Sequence, residues 1–260
     1  MRDATIAIVN YQTPQLTRLC LRSLRKFTDL ARVRVIVIDN SSKDESLDYL
    51  RSLDWIELVE RPIPEGETPP ESHANALDVA LKMADTPYFF VMHTDTIMVH
   101  DHWLDYLIAA IKKSDNIAGV GSWKMEIESP LKTFGQKIET FVREKILRRH
   151  SRRHHRHYLR SHGALYRTSA LKENTSGFCD CDTAGKSAHM NLQRAGFGMV
   201  FLPVRELNHY MRHLNHATMI LNPEISGRNT GTPEARKRIQ KQLNDIGFKK
   251  ILSDDTLDRA

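Results

Sequence analysis

The 260-residue sequence has few cysteines, no long apolar run and neither of the common glycine-rich nucleotide motifs. Cys20, Cys179 and Cys181 are too few for a disulfide framework, and the spacing of the last two does not suit a zinc site. Cys20 falls on the apolar face of a predicted helix, which favours a reducing, cytoplasmic setting. No stretch approaches the roughly 20 apolar residues of a membrane span, and the first residues lack the apolar run of a signal peptide.

The missing nucleotide motifs exclude two large classes of enzyme. No G-x-G-x-x-G follows the first apolar run, and no G-x-x-x-x-G-K-[ST] occurs anywhere in the chain. A Rossmann dehydrogenase and a P-loop kinase are therefore both disfavoured. A nucleotide bound by this chain would need a metal ion or basic side chains at its phosphates, because there is no glycine cradle for them.

The formal net charge of +6 is concentrated in one segment. Between Arg143 and Arg160, eight Arg and Lys residues oppose Glu144 alone, so this basic strip carries +7 and the rest of the chain carries −1. Residues 148–157 include no apolar side chain, so they cannot form a core element. Because the excess charge is confined to one segment, it indicates a local function of that segment in a protein that is otherwise nearly neutral.

Three interpretations of the basic strip remain open. It is a solvated segment without a partner, a nucleic-acid-binding arm, or a flank of a cleft that attracts an anionic or lipid-linked acceptor or the membrane surface. Aromatic interleaving is limited to Tyr158, which disfavours nucleic acid. We favour the third interpretation because the strip leads directly into "SHGALY". The candidate acceptor contacts are Arg148, Arg149, Arg152 and Arg153.

Apolar runs typical of buried strands alternate with helical patterns along the first half of the chain. This alternation predicts an α/β fold with a mostly parallel central sheet and helices on both faces. The predicted strands cover residues 4–10, 33–39, 55–60, 88–93 and 117–123. Three of the predicted helices begin near Pro14, Ser42 and Asp101. A fourth covers 73–83 and follows a proline-rich loop at 61–72.

Polar side chains stand at the carboxyl ends of three predicted strands. They are Asn10, Asp39 and Asp95, and ligands of parallel α/β sheets bind at this edge. Asp95 lies in "FFVMHTDTIM", where His93 adds a second potential metal ligand. The alternative is that Asp95 caps the turn after its strand; Asp39 likewise either caps the Ser41–Ser42 turn or combines this with ligand binding.

The order of these segments resembles a known family. "IAIVNYQTPQLTRLCLRSL", "VIVIDNSSKDES", the helix with Asn75-Ala76 and "YFFVMHTDT" resemble the nucleotide-sugar half of family 2 glycosyltransferases, which have the GT-A fold. "HGALYRTSALKENTSGF" (162–178) and "LQRAGFGMVFLPVRELNH" (192–209) are similar to the second half of the family. The resemblance covers about residues 4–210.

The resemblance implies an inverting transfer of a sugar from a nucleoside diphosphate to a hydroxyl of a glycan, a lipid-linked acceptor or a polysaccharide precursor, assisted by Mn²⁺ or Mg²⁺. The metal would be held by Asp95, by the late His209 and by His93. His93 stands where the family has an Asp, so it either ligates the ion or contacts the ribose or sugar. The donor-binding residues implied are Val9, Asn10, Tyr11, Asp39, Asn75, His93 and Thr94. His213 and His216 either reach the donor phosphates or are structural.

The general base is the least certain element of the resemblance. The Glu-Asp pair of the family aligns near Ala184-Gly185, which cannot accept a proton. Asp182 just upstream is the first candidate and Asp180 the second. If neither serves, the chain binds donor without turnover.

The resemblance divides the chain into two regions. Residues 1–222 would form the GT-A domain, with a nucleotide-sugar half at 1–123 and an acceptor and catalytic half at 124–222 that includes the basic strip, 143–160. Residues 223–260 would form a helical extension that packs back on the domain and frays at its end. We expect a cytoplasmic protein at the inner face of the membrane. A nucleotidyltransferase is disfavoured because no glycine-rich basic loop follows the first strand, and nucleic-acid binding through the strip remains the alternative function.

Overall fold

The computed structural model describes residues 1–123, 125, 157–179, 183–215, 217, 220 and 231–260. These residues form a seven-stranded sheet with helices on both faces, and a separate two-stranded sheet. The strands are β1 Ala4–Asn10, β2 Val33–Asp39, β3 Glu57–Glu60, β4 Tyr88–His93, β5 Thr96–Met98, β6 Ile117–Gly121, β7 Ala164–Arg167, β8 Gly198–Phe201 and β9 Met211–His213. The helices are α1 Pro14–Lys26, α2 Glu45–Arg51, α3 Pro69–Met83, α4 Trp103–Ile111, α5 Thr168–Asn174, α6 Lys186–Arg194, α7 Val204–Tyr210, α8 Pro233–Asp245 and α9 Phe248–Leu252.

The larger sheet has the strand order β3-β2-β1-β4-β7-β6-β8. The first four of these strands are parallel, β7 runs antiparallel to both of its neighbours, and β8 is parallel to β6. The carboxyl ends of β1, β2 and β4 therefore lie side by side at one edge. This arrangement confirms the predicted α/β fold with a mostly parallel sheet.

Side chains of the central strands alternate between two hydrophobic cores. From β1, Ile6 and Ile8 enter a core shared with α1, α2, α4 and the C-terminal helices. Ala7 and Val9 enter a second core shared with α3, α5 and α6. Because β1 is buried on both faces, its sequence is an uninterrupted apolar run rather than an alternating one.

Helix α3 begins earlier than its apolar pattern predicts. It starts at Pro69 rather than at His73, because Glu71 Oε2 accepts a hydrogen bond from the backbone N–H of Thr68 at 2.9 Å and two prolines fill the first turn. Proline is favoured there, since a first-turn N–H has no partner within the helix. The earlier start places His73 inside the helix, on the side that meets His93 at the end of β4.

The C-terminal residues are fastened to the domain rather than frayed, so that prediction is wrong. Asp258 accepts hydrogen bonds from Arg22 Nε and from the Tyr49 hydroxyl, both at 2.8 Å. Arg22 lies on α1 and is only 5% exposed. Its buried charge is neutralised by Asp258, more than 200 positions later in the chain. The predicted boundary at residue 223 lies outside the described residues. Within the described ranges, no helix has both the length and the apolar character to cross a membrane.

We expect Asp258→Ala to destabilise the protein, because it leaves the buried guanidinium of Arg22 without its carboxylate. Hydrogen bonds to charged groups contribute about 1.5–3 kcal/mol, so the free energy of unfolding in urea should fall by about that amount. Asp255→Ala is the matched control, because Asp255 lies on the same terminal turn and is exposed. Equal stability of the two variants would contradict the interpretation.

Candidate functional site

Asp95 is a buried carboxylate in the short connection between β4 and β5. It is 4% exposed, and its backbone carbonyl accepts a hydrogen bond from Leu214 N at 2.8 Å. Strand β5 pairs antiparallel with β9, with Thr96 opposite His213. This long-range pairing carries His213 from the far end of the chain to the carboxyl edge of the main sheet.

Three side chains at this edge converge on one point, and we call them the His–Asp–His cluster: His93, Asp95 and His213. Asp95 Oδ1 lies 3.8 Å from His93 Nδ1 and 3.1 Å from His213 Nε2. All three potential ligand atoms lie within 4.8 Å of one another. Adjacent ligands of one ion at about 2.1 Å are roughly 3–3.5 Å apart, so these residues fit a single divalent cation.

Other polar side chains fix the two imidazole rings of the cluster. His93 Nε2 is hydrogen-bonded to Ser161 Oγ at 2.8 Å, and His213 Nδ1 to Asn215 Oδ1 at 2.9 Å. His162 stacks on His213 with a centroid distance of 4.6 Å, and His73 meets His93 edge-on at 4.9 Å. The buried Nε2 of His73 has no hydrogen-bond partner within the part of the chain that the structure describes.

Burial keeps the imidazoles of His73, His93 and His162 neutral. Desolvation lowers the pKa of His73 to about 4 and, with help from neighbouring positive charge, the pKa of His93 to about 3. The pKa of His162 lies well below its ordinary value for the same reasons. Burial acts to raise the pKa of Asp95, but the adjacent His213 and His93 outweigh it, so the carboxyl is held below its usual range. A neutral imidazole and an ionised carboxylate are the forms that bind metal.

The structure does not bring His209, one of the metal ligands predicted from the sequence, into the cluster. It lies in the last turn of α7, is exposed, and its ring contacts His100 at 4.5 Å and Tyr210 at 5.0 Å. The chain changes from helix to strand directly after Tyr210, and the alternation of β9 turns His213 inward. His213, one of the two histidines whose role the sequence left open, therefore takes the position expected for His209.

A hydrogen-bonded network links the ends of β1 and β2. Asn10 Nδ2 donates to Asp39 Oδ1 at 2.7 Å, and Asp39 Oδ2 accepts from Ser42 N at 3.0 Å. Ser42 Oγ also donates to Asp39 Oδ1. Asp39 therefore caps the turn after β2, as one of its two predicted roles requires, and its 1% exposure leaves little surface for a ligand in this conformation.

The backbone around this network is strained. Gln12, Ser41 and Lys43 have φ angles of 48°, 55° and 52°, a region that non-glycine residues rarely occupy. All three lie in the loops after β1 and β2. Strain of this kind is typical of ligand-binding loops, where the surrounding structure maintains it.

The remaining donor candidates surround the same edge. Tyr11 is 37% exposed, whereas Val9 is 8% exposed and belongs to the core. Thr94 is buried, with its hydroxyl 3.4 Å from that of Thr13. The amide of Asn75 donates to Glu67, which also forms a largely buried ion pair with Arg61 at 2.5 Å. In the structure Asn75 therefore holds the loop that precedes α3.

The sequence analysis missed the side chains that support the cluster. Ser161 and His162 lie two or three residues before β7, and Asn215 lies two residues after His213. His162 opens a segment that the sequence analysis compared with the family, but nothing in the sequence assigned a role to any of the three. Arg160 precedes them, with its guanidinium 4.3 Å from the Trp123 ring centroid and 5.1 Å from that of Tyr158. No acidic side chain among the described residues pairs with Arg160, so its charge is available beside the cluster.

Several predicted residues lie outside the described residues. They are Asp180 and Asp182, the candidate bases, His216, and the acceptor contacts Arg148, Arg149, Arg152 and Arg153. The described residues on either side of the candidate bases are anchored. Asp78 on α3 accepts hydrogen bonds from Phe178 N at 2.6 Å and Cys179 N at 3.2 Å, and the Tyr158 hydroxyl donates to Thr183 at 3.1 Å.

The sequence of the chain matches a known family over most of its length. The matching family is described as "Glycosyl transferase family 2", and the match covers residues 5–175. The chain belongs to this family. No curated protein sequence matches it.

Solved glycosyltransferase structures share the fold of this family 2 member. They include the mannosyltransferase PcManGT from Pyrobaculum calidifontis with GDP-Man and Mn²⁺ (15% identity, TM-score 0.56, covering 78% of this chain and 55% of that one). S. aureus TarS 1–349 with UDP-GlcNAc has 17% identity and a TM-score of 0.53, covering 77% and 56%. Glucosyl-3-phosphoglycerate synthase from Mycobacterium tuberculosis, with Mn²⁺, UDP and glucosyl-3-phosphoglycerate, has 14% identity and a TM-score of 0.50, covering 95% and 80%.

These likenesses establish the GT-A fold. The chain spans just over half the length of the first two structures.

Stability should fall as the pH is lowered from about 6.5 towards 4. The pKa values of His73, His93 and His189 lie at about 4, 3 and 4 in the folded chain, below the ordinary 6.5. In this range the unfolded chain binds protons that the folded chain excludes, so the free energy of unfolding decreases as the pH falls. Urea unfolding with EDTA at pH 7.5, 6.5, 5.5 and 5.0 measures this decrease.

His189→Gln provides the internal test of that prediction, because His189 is 1% exposed and lies outside the His–Asp–His cluster. Removing one such group should reduce the slope by up to about 1.4 kcal/mol per pH unit below pH 6. A slope that is the same in both proteins, or stability that rises on acidification, would refute the assignment.

Proposed function

We propose that this family 2 protein transfers a sugar from a nucleoside-diphosphate sugar to a hydroxyl acceptor with inversion, and that a divalent cation assists. The observation that carries the proposal is the buried carboxylate of Asp95, held between the imidazoles of His93 and His213 at the carboxyl edge of a GT-A sheet. Ligands of such sheets bind at this edge. The presence of Mn²⁺ with a nucleotide sugar or nucleotide in two structures of similar fold supports a metal-assisted reaction.

The cluster supplies what the diphosphate leaving group needs. When bound, a divalent cation neutralises the charge that develops on the diphosphate as the glycosidic bond breaks. Asp95, His93 and His213 would hold it, because their ligand atoms already face one another. Arg160, whose guanidinium lies against two aromatic rings, would contact the same phosphates.

The nucleoside would lie over the strained loops that follow β1 and β2. Tyr11 is exposed there and can stack on the base, while Asn10 and Asp39 hold the loop conformations through their shared network. Asp39 would contact the base or ribose only by giving up its bond to Ser42. We therefore assign the network a primary role in shaping this pocket.

The acceptor would approach from the second half of the domain. A hydroxyl is a poor nucleophile, so a carboxylate must take its proton as it attacks the anomeric carbon. We keep Asp182 as the base and Asp180 as the alternative. The basic strip favours an anionic or lipid-linked acceptor and contact with the inner face of the membrane, through Arg148, Arg149, Arg152 and Arg153.

The metal centre is tested by comparing two histidines four residues apart. His213→Gln and Asp95→Asn should each remove the Mn²⁺-dependent part of nucleoside diphosphate binding, because each deletes a ligand. His209→Gln should leave it unchanged, since this exposed ring lies away from Asp95. Calorimetric titration of a panel of nucleoside diphosphates, with and without Mn²⁺, measures the difference. Loss of binding in His209→Gln but not in His213→Gln would reverse the ligand assignment.

Asp182→Asn tests the base. A positioned base typically contributes about 10²- to 10⁴-fold, so transfer should fall by that range while the affinity for donor stays the same. Asp180→Asn should cost much less. These rates come from sugar transfer measured at saturating donor. Full activity in both variants would exclude this segment as the source of the base, and the reverse ranking would assign the base to Asp180.

A further inference from the structure

The ligand set of the cluster is rich in nitrogen. His93 and His213 contribute two imidazole nitrogens, and Asp95 contributes the one carboxylate of the three described residues. Mg²⁺ is a hard cation that prefers oxygen ligands and gives up its hydration water reluctantly, whereas imidazole suits first-row transition ions.

The ring of His93 is held with one defined nitrogen towards Asp95. Its Nε2 is hydrogen-bonded to Ser161 Oγ at 2.8 Å, and Ser161 is 7% exposed. Its Nδ1 is the atom nearest Asp95 Oδ1, at 3.8 Å. In the tautomer whose Nε2 donates its proton to Ser161, Nδ1 presents a lone pair to the cluster. Ser161 can accept that proton and so supports the tautomer that binds a metal.

The ring of His213 is fixed from the opposite side. The side-chain carbonyl of Asn215 accepts at 2.9 Å from Nδ1, so this nitrogen carries the proton. Nε2 faces Asp95 Oδ1 at 3.1 Å. The two atoms already lie at the separation of adjacent ligands of one cation. Stacking of His162 on the ring at 4.6 Å prevents it from turning aside.

We propose that His93, held by Ser161, makes this centre selective for a first-row transition ion such as Mn²⁺ or Co²⁺ over Mg²⁺. The inference rests on the proposed metal centre but goes further, because it assigns the choice of ion to one side chain. An aspartate at position 93 would replace a nitrogen ligand with a second charged oxygen. That change favours Mg²⁺ and disfavours ions that prefer nitrogen.

The test measures binding of the metal ions alone to the full chain after treatment with EDTA. Calorimetry gives the affinities for Mn²⁺, Co²⁺ and Mg²⁺, and the visible absorption of bound Co²⁺ reports nitrogen ligation independently of enzyme activity. The parent should bind Co²⁺ and Mn²⁺ at least about tenfold more tightly than Mg²⁺. His93→Asp should move this ratio towards Mg²⁺ by about tenfold or more and weaken the nitrogen-dependent bands of Co²⁺.

Two further variants keep the result interpretable. Ser161→Ala retains His93 but removes its orienting partner, so it should weaken Co²⁺ binding by about 10- to 100-fold, even if His93→Asp does not fold. His209→Asp makes the same chemical exchange at an exposed histidine outside the cluster, and its ion preference should equal that of the parent.

The outcomes separate this inference from the proposed function. Equal affinity of the parent for Mg²⁺ and Mn²⁺, or an unchanged ratio in His93→Asp, overturns the selectivity and leaves the metal centre standing. Failure of every ion to bind overturns the metal centre and the inference together. If the expected ion selectivity is observed but no sugar transfer is detected, the inference is supported and only the proposed activity is contradicted.

Discussion

The site depends on one constraint, the burial of the Asp95 carboxylate at the end of a central strand. A buried charge is costly unless positive or polar groups surround it, and here four histidines lie around it. Burial keeps His73, His93 and His162 neutral, whereas His213 acts with His93 to hold the pKa of Asp95 below its usual range. Such a cluster is balanced best when a cation joins it. The function that we propose follows from this electrostatic requirement.

The sheet topology explains why the three residues of the His–Asp–His cluster meet. Strand β4 carries His93 to the carboxyl edge by local sequence alone, and Asp95 follows two residues later. His213 arrives only through the pairing of β5 with β9, each three residues long. The chain segment before β7 supplies Ser161 and His162, which face the two ligand imidazoles. Three distant segments thus contribute, and unpairing β9 would remove His213 from the cluster.

Sequence patterns predicted the long, doubly buried strands well and the site only in part. β1, β2 and β4 occupy the predicted residues, because apolar runs bounded by polar residues have few alternatives. Asp95 and His93 followed from those strand ends. His213 could not be distinguished from His209 by pattern, since a three-residue strand has no periodicity of its own and its partner is more than 100 residues away. Ser161 and Asn215 act through single hydrogen bonds, which leave no trace in composition or spacing. The Asp39 network illustrates the same limit: the sequence allowed both a turn cap and a ligand contact, and only the geometry shows that its oxygens are engaged with Asn10 and Ser42.

The most direct test of the account is the position of a bound ion in a crystal of this chain grown with Mn²⁺ and a nucleoside diphosphate. Anomalous scattering from Mn²⁺ locates the ion without reference to activity. The account predicts one peak within coordination distance of His93 Nδ1, Asp95 Oδ1 and His213 Nε2. A peak that Asp95 does not contact, or one beside His209, would contradict it.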